Sequence, residues 1–298
     1  MQILPNILFY SNVHLGDLHL SRQYVKWFID NIPNVNFYYT HNQHPDALCD
    51  LNLTFIHNNL YHNLPQYGDI INLSIDNIPY IAFNTWIGAG GLAIGCNFES
   101  SYVNFTKYLN YLINNNYCKN TKLMRLVPKI DFSSSCIKKD TTDYWFKHAP
   151  KKLSVLIANN KVMSNQSYNT NMNVYISNIA INFTNINFYL TNQEEPLISL
   201  PNVFYIEQII NNPSKFYLND IAYFSTFCDI IVGKGSGPFS FCEIEENINK
   251  TWISFTFEHL KSDAFNGLNQ FNNTGRYIHT MNMDILTEIL KERTNQYE

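Results

Sequence analysis

Short apolar segments recur along the whole chain and alternate with stretches in which apolar residues have the spacing of one helix face. Most of these segments are rich in β-branched and aromatic side chains, which is typical of a parallel sheet flanked by helices. In the first half, the pattern predicts strands over residues 6–10, 35–40, 53–57, 70–74 and 80–84. It predicts helices over residues 18–31 and 97–116.

The same alternation restarts after an irregular stretch over residues 118–150. The pattern there predicts strands over residues 153–158, 187–190, 203–207, 229–232 and 252–256, and helices over residues 173–181, 218–227, 239–246 and 283–293. We therefore expect an α/β protein with two Rossmann-like domains, residues 1–148 and residues 149–298, facing each other. A ligand would bind in the cleft between them, at the carboxyl ends of the strands.

Composition narrows the class of partner. Charged residues make up 15% of the chain, below the roughly 25% of an average domain, and the net charge is -4 with no basic block. This argues against a nucleic-acid-binding surface. The first residues lack the basic region of a signal peptide and their apolar run is too short for a membrane span, so we expect a cytoplasmic protein.

The six cysteines never occur as C-x-x-C. This spacing predicts neither a zinc site nor a disulfide ladder, and it favours reduced, mostly buried thiols. Four histidines in the first half could suggest a metal cluster: His41, His44, His57 and His62. An H-x-x-H pattern in a loop without a second pair is a weak signal, and we predict no metal site.

The most distinctive turn of the second half is the stretch DIIVGKGSGPFSF, in which a buried strand is followed at once by Gly233, Gly235, Ser236 and Gly237. Free backbone N–H groups at the start of the next helix would suit a phosphate. The spacing is neither G-x-G-x-x-G nor a P-loop. A tight strand-to-helix turn, with Pro238 in the first helical turn, explains the same residues without a ligand.

Other polar residues of the second half could contact the same ligand. Lys161 follows the first strand of the second domain, Glu243 lies beyond the Gly-rich turn, and His259 follows the last predicted strand. Lys161 could contact phosphate, Glu243 could accept hydrogen bonds from ribose hydroxyls, and His259 could reach the same donor. For Lys161 a solvated surface position explains the residue equally well, and for Glu243 and His259 it is the favoured interpretation.

A second distinctive turn follows the first strand, in the stretch SNVHLGDLHLSR. Asp17 at the start of the first helix would be held ionised by the helix dipole, although a first-turn acid often has no chemical role. His14, Gly16 and His19 crowd the same turn. Trp86, at the end of a later strand, could stack on a sugar face or pack in the core.

The stretch Leu15-Gly16-Asp17-Leu18-His19-Leu20 resembles the Gly-Asp motif of heptosyltransferase-like glycosyltransferases (glycosyltransferase family 9), which have the GT-B fold. The segment 229–241 is similar to the strand, Gly-rich turn and helix with which that family binds the donor diphosphate. The two motifs span roughly a tenth of the chain. The family's turn is Asp-Thr-Gly followed by a histidine, whereas this chain has Gly235-Ser236-Gly237 and then Pro238.

The resemblance implies an inverting glycosyltransferase that moves a sugar from a nucleotide-activated donor to a carbohydrate acceptor. In the family, the aspartate is the general base, and that role would fall on Asp17. Gly16, His14, His19 and Trp86 would then contact the acceptor, and the donor would bind to Lys161, Glu243, His259 and the turn from Gly233 to Gly237. The reaction needs no metal and no other cofactor.

A rival hypothesis is a non-catalytic protein of the same fold that binds a nucleotide or a glycan. The missing histidine after the Gly-rich turn favours this rival, and the retained Gly-Asp pair favours the enzyme. The donor sugar, the acceptor and the oligomeric state are left open by the sequence.

Overall fold

The computed structural model of the chain describes residues 5–12, 15–41, 45–56, 64–66, 70–89, 97–163, 167–211, 217–271 and 273–295. Among the predicted site residues, His14 lies outside these ranges. The chain divides into two compact units, residues 1–136 and residues 137–298. Within the described ranges, no helix combines the length and the apolar character needed to cross a lipid bilayer.

The first unit contains a five-stranded sheet in the order β3-β2-β1-β5-β4. Its strands are β1 (Asn6–Ser11), β2 (Asn36–His41), β3 (Thr54–Phe55), β4 (Ile70–Ile75) and β5 (Ile78–Asn84). β1 is parallel to both β2 and β5, as the apolar pattern predicts. β4 is antiparallel to β5, because Asp76 and Asn77 both adopt positive φ and close a tight hairpin.

Two helices cover this sheet, α1 (Leu15–Asn31) and α2 (Asn97–Asn114). Their inner faces are aromatic. The ring of Phe28 in α1 lies 5.9 Å from that of Phe9 in β1 and 5.4 Å from that of Phe105 in α2, measured between centroids. These rings are fully buried, so they join both helices to the central strand through one apolar core.

The segment after α2 has no regular structure over residues 115–138, and its residues up to 136 pack as part of the first unit. The Leu126 N–H donates to the Tyr24 hydroxyl, and the Lys129 N–H donates to the Gln23 amide oxygen. Cys136 at its end forms a disulfide with Cys49. The prediction of reduced thiols is therefore wrong for this pair, because 87 residues separate the two cysteines and only the fold brings their Cα atoms to 6.3 Å.

The second unit contains a six-stranded sheet, parallel throughout, in the order β11-β10-β9-β6-β7-β8. Its strands are β6 (Leu153–Ala158), β7 (Ile186–Leu190), β8 (Val203–Tyr205), β9 (Ile230–Gly233), β10 (Thr251–Ser254) and β11 (Arg276–His279). The register places Gly233 between Ala158 and Ser254, so β6, β9 and β10 end in one row.

The helices of the second unit are α3 (Lys139–His148), α4 (Met172–Asn182), α5 (Ile206–Ile210), α6 (Leu218–Ser225), α7 (Gly237–Phe241) and α8 (Asp284–Thr294). The sequence pattern did not predict α3, α5 or β11. Only Thr142 of α3 is fully buried, which leaves too short an apolar stripe to detect. The predicted domain border at residues 148 and 149 falls at the end of α3, inside the second unit.

Candidate functional site

The carboxyl edge of the first sheet brings together the residues that follow β1, β2 and β5. The register pairs Ser11 with His41 and Tyr10 with Asn84. The Thr85 N–H donates to the Tyr10 carbonyl, which continues the pairing past the end of β5. The turns carrying Asp17 and Trp86 therefore start from adjacent strands, at the edge where α/β proteins bind ligands.

Asp17 lies in the first turn of α1, which begins at Leu15, four positions after the last residue of β1. Its side chain is half-buried, and desolvation raises the pKa of Asp17 from 3.8 to about 7. No hydrogen bond or ion pair from another described residue holds the carboxylate. An acid with these properties can accept a proton near neutral pH, which is the property that a general base needs.

A buried hydroxyl pair lies behind Asp17. The hydroxyls of Tyr39 and Thr85 are hydrogen-bonded at 2.8 Å, and that of Thr85 also donates to the Tyr10 carbonyl. Burial is the largest cause that raises the pKa of Tyr39, and the charge of Asp17 adds to it. Tyr39 therefore stays neutral beside the carboxylate.

The predicted acceptor-binding residues differ in how deeply the structure buries them. Gly16 and Trp86 are half-buried, and the indole of Trp86 lies so close to Gly88 that a Cβ there would come within 2.7 Å of the ring. His19 is fully buried. Its imidazole lies inside the packing of α1, because residues 15, 18 and 19 are all buried on that helix. His19 thus has no exposed surface for an acceptor.

The carboxyl edge of the second sheet carries the Gly-rich turn. A Cβ on Gly233 would lie 2.6 Å from the Phe239 ring and 2.8 Å from the Ala158 Cβ, so this glycine permits close packing of β9, β6 and α7. A Cβ on Gly237 would meet no atom within 4 Å. Gly233 therefore has a structural role, whereas Gly237 borders open space.

Ser236 is 7% exposed, and its buried hydroxyl has no hydrogen-bond partner among the described residues. No hydrogen bond joins the backbone N–H of Gly235 or Ser236 to another described residue either. α7 has five residues, shorter than the predicted helix, so its dipole adds little. An anion at this turn would therefore bind to the Ser236 hydroxyl and to the backbone N–H groups of Gly235 and Ser236.

Lys234 lies between these glycines and was not predicted as a site residue, because its sequence context is that of a surface lysine. It is 3% exposed, and its ammonium group donates to the Thr170 carbonyl at 3.3 Å. Burial is the main cause that lowers the pKa of Lys234; the nearby charge of Lys161 lowers it further, and that of Glu194 opposes both. Lys161 itself is exposed in the loop after β6.

The structure places the other two predicted donor contacts differently. Glu243 is fully buried beyond the end of α7 and accepts a hydrogen bond from the Asn266 amide at 2.8 Å. Because Glu243 is fully buried, it has no open face toward a ribose, and the same burial raises its pKa well above the usual range. His259 is exposed, and its ring stacks on Phe257 with centroids 5.7 Å apart.

Among the described residues, no three His, Cys, Asp or Glu side chains lie together as metal ligands would. Of the four histidines that could suggest a cluster, only His41 is described, and it is buried at the end of β2.

Solved structures share this fold. No family model matches the chain, and no curated protein matches its sequence. The structure is similar to that of a glycosyl transferase family 9 protein from Veillonella parvula, with a TM-score of 0.55 and 12% identity over 98% of this chain and 92% of that one. It is also similar to ADP-heptose LPS heptosyltransferase II of E. coli, with a TM-score of 0.52 and 10% identity over 97% of this chain and 98% of that one.

A third similar structure is the glycotransferase of kitacinnamycin, with a TM-score of 0.50 and 10% identity over 97% of this chain and 90% of that one. At such low identities the similarity establishes the fold, and the match over nearly the full length covers both units. The chain therefore has two Rossmann-like domains of GT-B type, and the resemblance to heptosyltransferase-like glycosyltransferases that the sequence motifs indicate is confirmed at the level of the fold.

Proposed function

We propose that this protein is an inverting, metal-independent glycosyltransferase that moves a sugar from a nucleotide-activated donor to a hydroxyl group of a carbohydrate acceptor. The observation that carries the proposal is Asp17: a half-buried carboxylate at the carboxyl edge of the first sheet with a pKa raised to about 7. The neighbours of similar fold include a glycosyl transferase family 9 protein and an ADP-heptose heptosyltransferase, which supports the same reaction class.

In the proposed reaction, the Asp17 carboxylate removes the proton from the acceptor hydroxyl as its oxygen attacks the anomeric carbon. The bond from that carbon to the diphosphate breaks, and the nucleoside diphosphate leaves with the electron pair. Attack on the face opposite the leaving group inverts the anomeric centre. A base with a pKa near 7 is half deprotonated at neutral pH and still accepts a proton effectively.

On the donor side, negative charge grows on the departing diphosphate and has to be stabilised by positioned donors. We assign this role to the Ser236 hydroxyl, to the backbone N–H groups of Gly235 and Ser236, and to Lys161. The unpartnered, buried hydroxyl of Ser236 supports the assignment, since a buried polar group without a partner costs free energy unless a ligand satisfies it.

The second candidate function is a non-catalytic nucleotide- or glycan-binding protein of the same fold. The observation that favours it lies after the Gly-rich turn, where the related enzymes carry a histidine and this chain has the buried residues Phe239 and Ser240. The two functions share a donor site, and they differ in whether Asp17 is needed for turnover.

The test combines binding and turnover. We would measure binding of UDP, GDP, ADP and CMP by thermal shift and calorimetry, and release of nucleotide from the matching sugar conjugates, for three proteins: wild type, Gly237→Asp and Gly237→Ala. Both variants should fold normally because a Cβ at residue 237 meets no atom within 4 Å. The aspartate should abolish nucleotide binding by repelling the diphosphate, whereas the alanine should retain most of it.

Binding of one nucleotide by wild type with release from its sugar conjugate, lost in Gly237→Asp, would support the enzyme. Binding without any turnover of the conjugates would favour the second candidate. A wild-type protein that binds none of the nucleotides, or a Gly237→Asp protein that binds as wild type does, would contradict the proposed donor site.

A further inference from the structure

Several buried polar groups lie at the carboxyl edge of the second sheet, and Ser236 is the only one of them assigned a role above. Five residues form this edge cluster: Lys234, Ser236, Glu194, Ser254 and Thr256. The hydroxyls of Ser236, Ser254 and Thr256 and one carboxylate oxygen of Glu194 are buried without a hydrogen-bond partner among the described residues. Such groups are rare in folded proteins, and four of them along one edge indicate a polar ligand.

Lys234 is a buried charged group of the edge cluster, and its protein contacts satisfy only part of its hydrogen-bonding capacity. An ammonium group has three N–H donors, and the Lys234 ammonium makes a hydrogen bond to the Thr170 carbonyl alone among described residues. The side chain is nevertheless 3% exposed. A buried cation with unused donors costs free energy, and an anionic ligand would compensate that cost.

The charges nearest to Lys234 fit the same interpretation. Lys161 and Glu194 both act on it electrostatically, with opposite signs. The charge of Lys161 disfavours the charged form of Lys234, and an anion bound near both lysines would offset this repulsion. Glu194 supplies one negative charge, whereas a diphosphate carries more than one and could engage both lysines.

The loops that carry these charges are held in place by asparagine side chains. The amide of Asn159, directly after β6, donates to the Asn192 carbonyl at 2.8 Å, and its oxygen accepts from the Asn192 N–H at 2.9 Å. The Asn169 amide bonds to both backbone groups of Val162 across the loop. These bonds hold the loops after β6 and β7, which carry Lys161 and Glu194, before any ligand binds.

We propose that Lys234 is a direct diphosphate-binding residue, acting with Lys161 on the leaving group, and that Glu194 is its counter-ion when no diphosphate is bound. This inference rests on the proposed function and extends it by two residues. It makes opposite predictions for them: removing the Lys234 charge weakens diphosphate binding, and removing the Glu194 charge strengthens it.

The experiment uses inorganic pyrophosphate and the best-bound nucleoside diphosphate as probes in calorimetry, with the corresponding nucleoside as a probe that lacks the diphosphate. Lys234→Met should weaken the binding of both phosphate probes at least about tenfold, the scale of one charge-assisted contact. Glu194→Gln should tighten both by about threefold or more. Nucleoside binding should change in neither variant.

Lys250 offers a control, because it is a half-buried lysine that precedes β10 at the opposite edge of the sheet. Its ammonium donates to the Ser225 and Thr226 carbonyls, both at 2.7 Å. Lys250→Met should lower thermal stability and leave pyrophosphate affinity unchanged.

The outcomes separate this inference from the function on which it rests. If wild type binds the probes and Lys234→Met binds them equally well, the Lys234 assignment is wrong and the donor site stands. If Glu194→Gln weakens binding, the counter-ion role is wrong. If Lys234→Met does not fold, Glu194→Gln still tests the inference, because tighter binding of the phosphate probes would support it and weaker binding would contradict it. If wild type binds neither phosphate probe, both the inference and the donor site are overturned.

Discussion

Asp17 shows how one position acquires chemistry from its surroundings. A first-turn aspartate at the surface of a helix would be ionised throughout the physiological range, because the helix dipole favours its charge. In this fold the side chain is half-buried in the first turn of α1, and the hydroxyl of Tyr39 lies within its electrostatic reach. Desolvation of the carboxylate dominates over the helix dipole, and it raises the pKa of Asp17 to about 7.

We predict that Asp17→Asn lowers kcat by a factor of about 10² to 10⁴, the usual contribution of a general base, and leaves donor affinity unchanged. In wild type, kcat/KM should rise with pH and level off above about 7, as Asp17 loses its proton. Initial rates from pH 5 to 9 would measure this. A wild-type profile without an inflection near 7, or a variant with full activity, would exclude Asp17 as the base.

The same pKa shift predicts a pH-dependent stability. Because folding raises the pKa from 3.8 to about 7, the Asp17 contribution favours the folded state below pH 4 and is lost as the pH rises through 7. When this contribution is completely lost, the free energy of unfolding falls by roughly 4 kcal/mol, since each pKa unit corresponds to about 1.4 kcal/mol. Relative to Asp17→Asn, wild type should thus lose stability between pH 4 and pH 8 in urea titrations. A constant difference between the two proteins would contradict the shift.

At the scale of elements, the site depends on strand-to-helix turns whose positions the sequence predicts well. Apolar runs predict β1, β6 and β9, and the Gly-Asp and Gly-rich stretches follow β1 and β9 as expected. The depth of each side chain is not encoded in these runs. Lys234 and Glu243 read as surface charges, yet both are buried, Lys234 against the Thr170 carbonyl and Glu243 against the Asn266 amide.

We predict that Gly233→Ala destabilises the protein by about 1–3 kcal/mol, the typical cost of overpacking. The new methyl group would lie 2.6 Å from the Phe239 ring and 2.8 Å from Ala158, so β6, β9 and α7 would have to separate. Gly237→Ala is the matched control, because its methyl group meets no atom within 4 Å. Chemical denaturation would compare them, and equal midpoints for the two variants would show that the Gly233 contact is unimportant.

At the scale of the whole molecule, hydrophobic periodicity predicts two α/β units but not how the chain passes from one to the other. The segment over residues 115–136 has no periodic pattern and would be taken for a linker. In the structure it packs on the first unit, where Leu123 and Ile130 are buried and the Asp131 N–H donates to the Asp50 carboxylate. Isolated apolar residues in an irregular segment leave no repeat in the sequence, so this packing could not be foreseen.

The disulfide between Cys49 and Cys136 fastens that segment, and it yields a prediction about the intact protein. The bond closes a loop of 87 residues, so its loss should reduce stability by about 2–5 kcal/mol and lower Tm by at least about 5 °C. Reduction or Cys136→Ser should both have this effect. Cys118→Ser should not, because Cys118 is a free, half-buried thiol outside the pair.

Peptide mapping without reductant would identify the linked peptides, and thermal unfolding with and without dithiothreitol would measure the stabilisation. A map without the Cys49–Cys136 peptide pair would disprove the bond itself. A linked pair whose reduction leaves Tm unchanged would mean that the hydrogen bonds and buried side chains of residues 115–136 already hold the segment on the first unit. The disulfide would then be secondary to that packing.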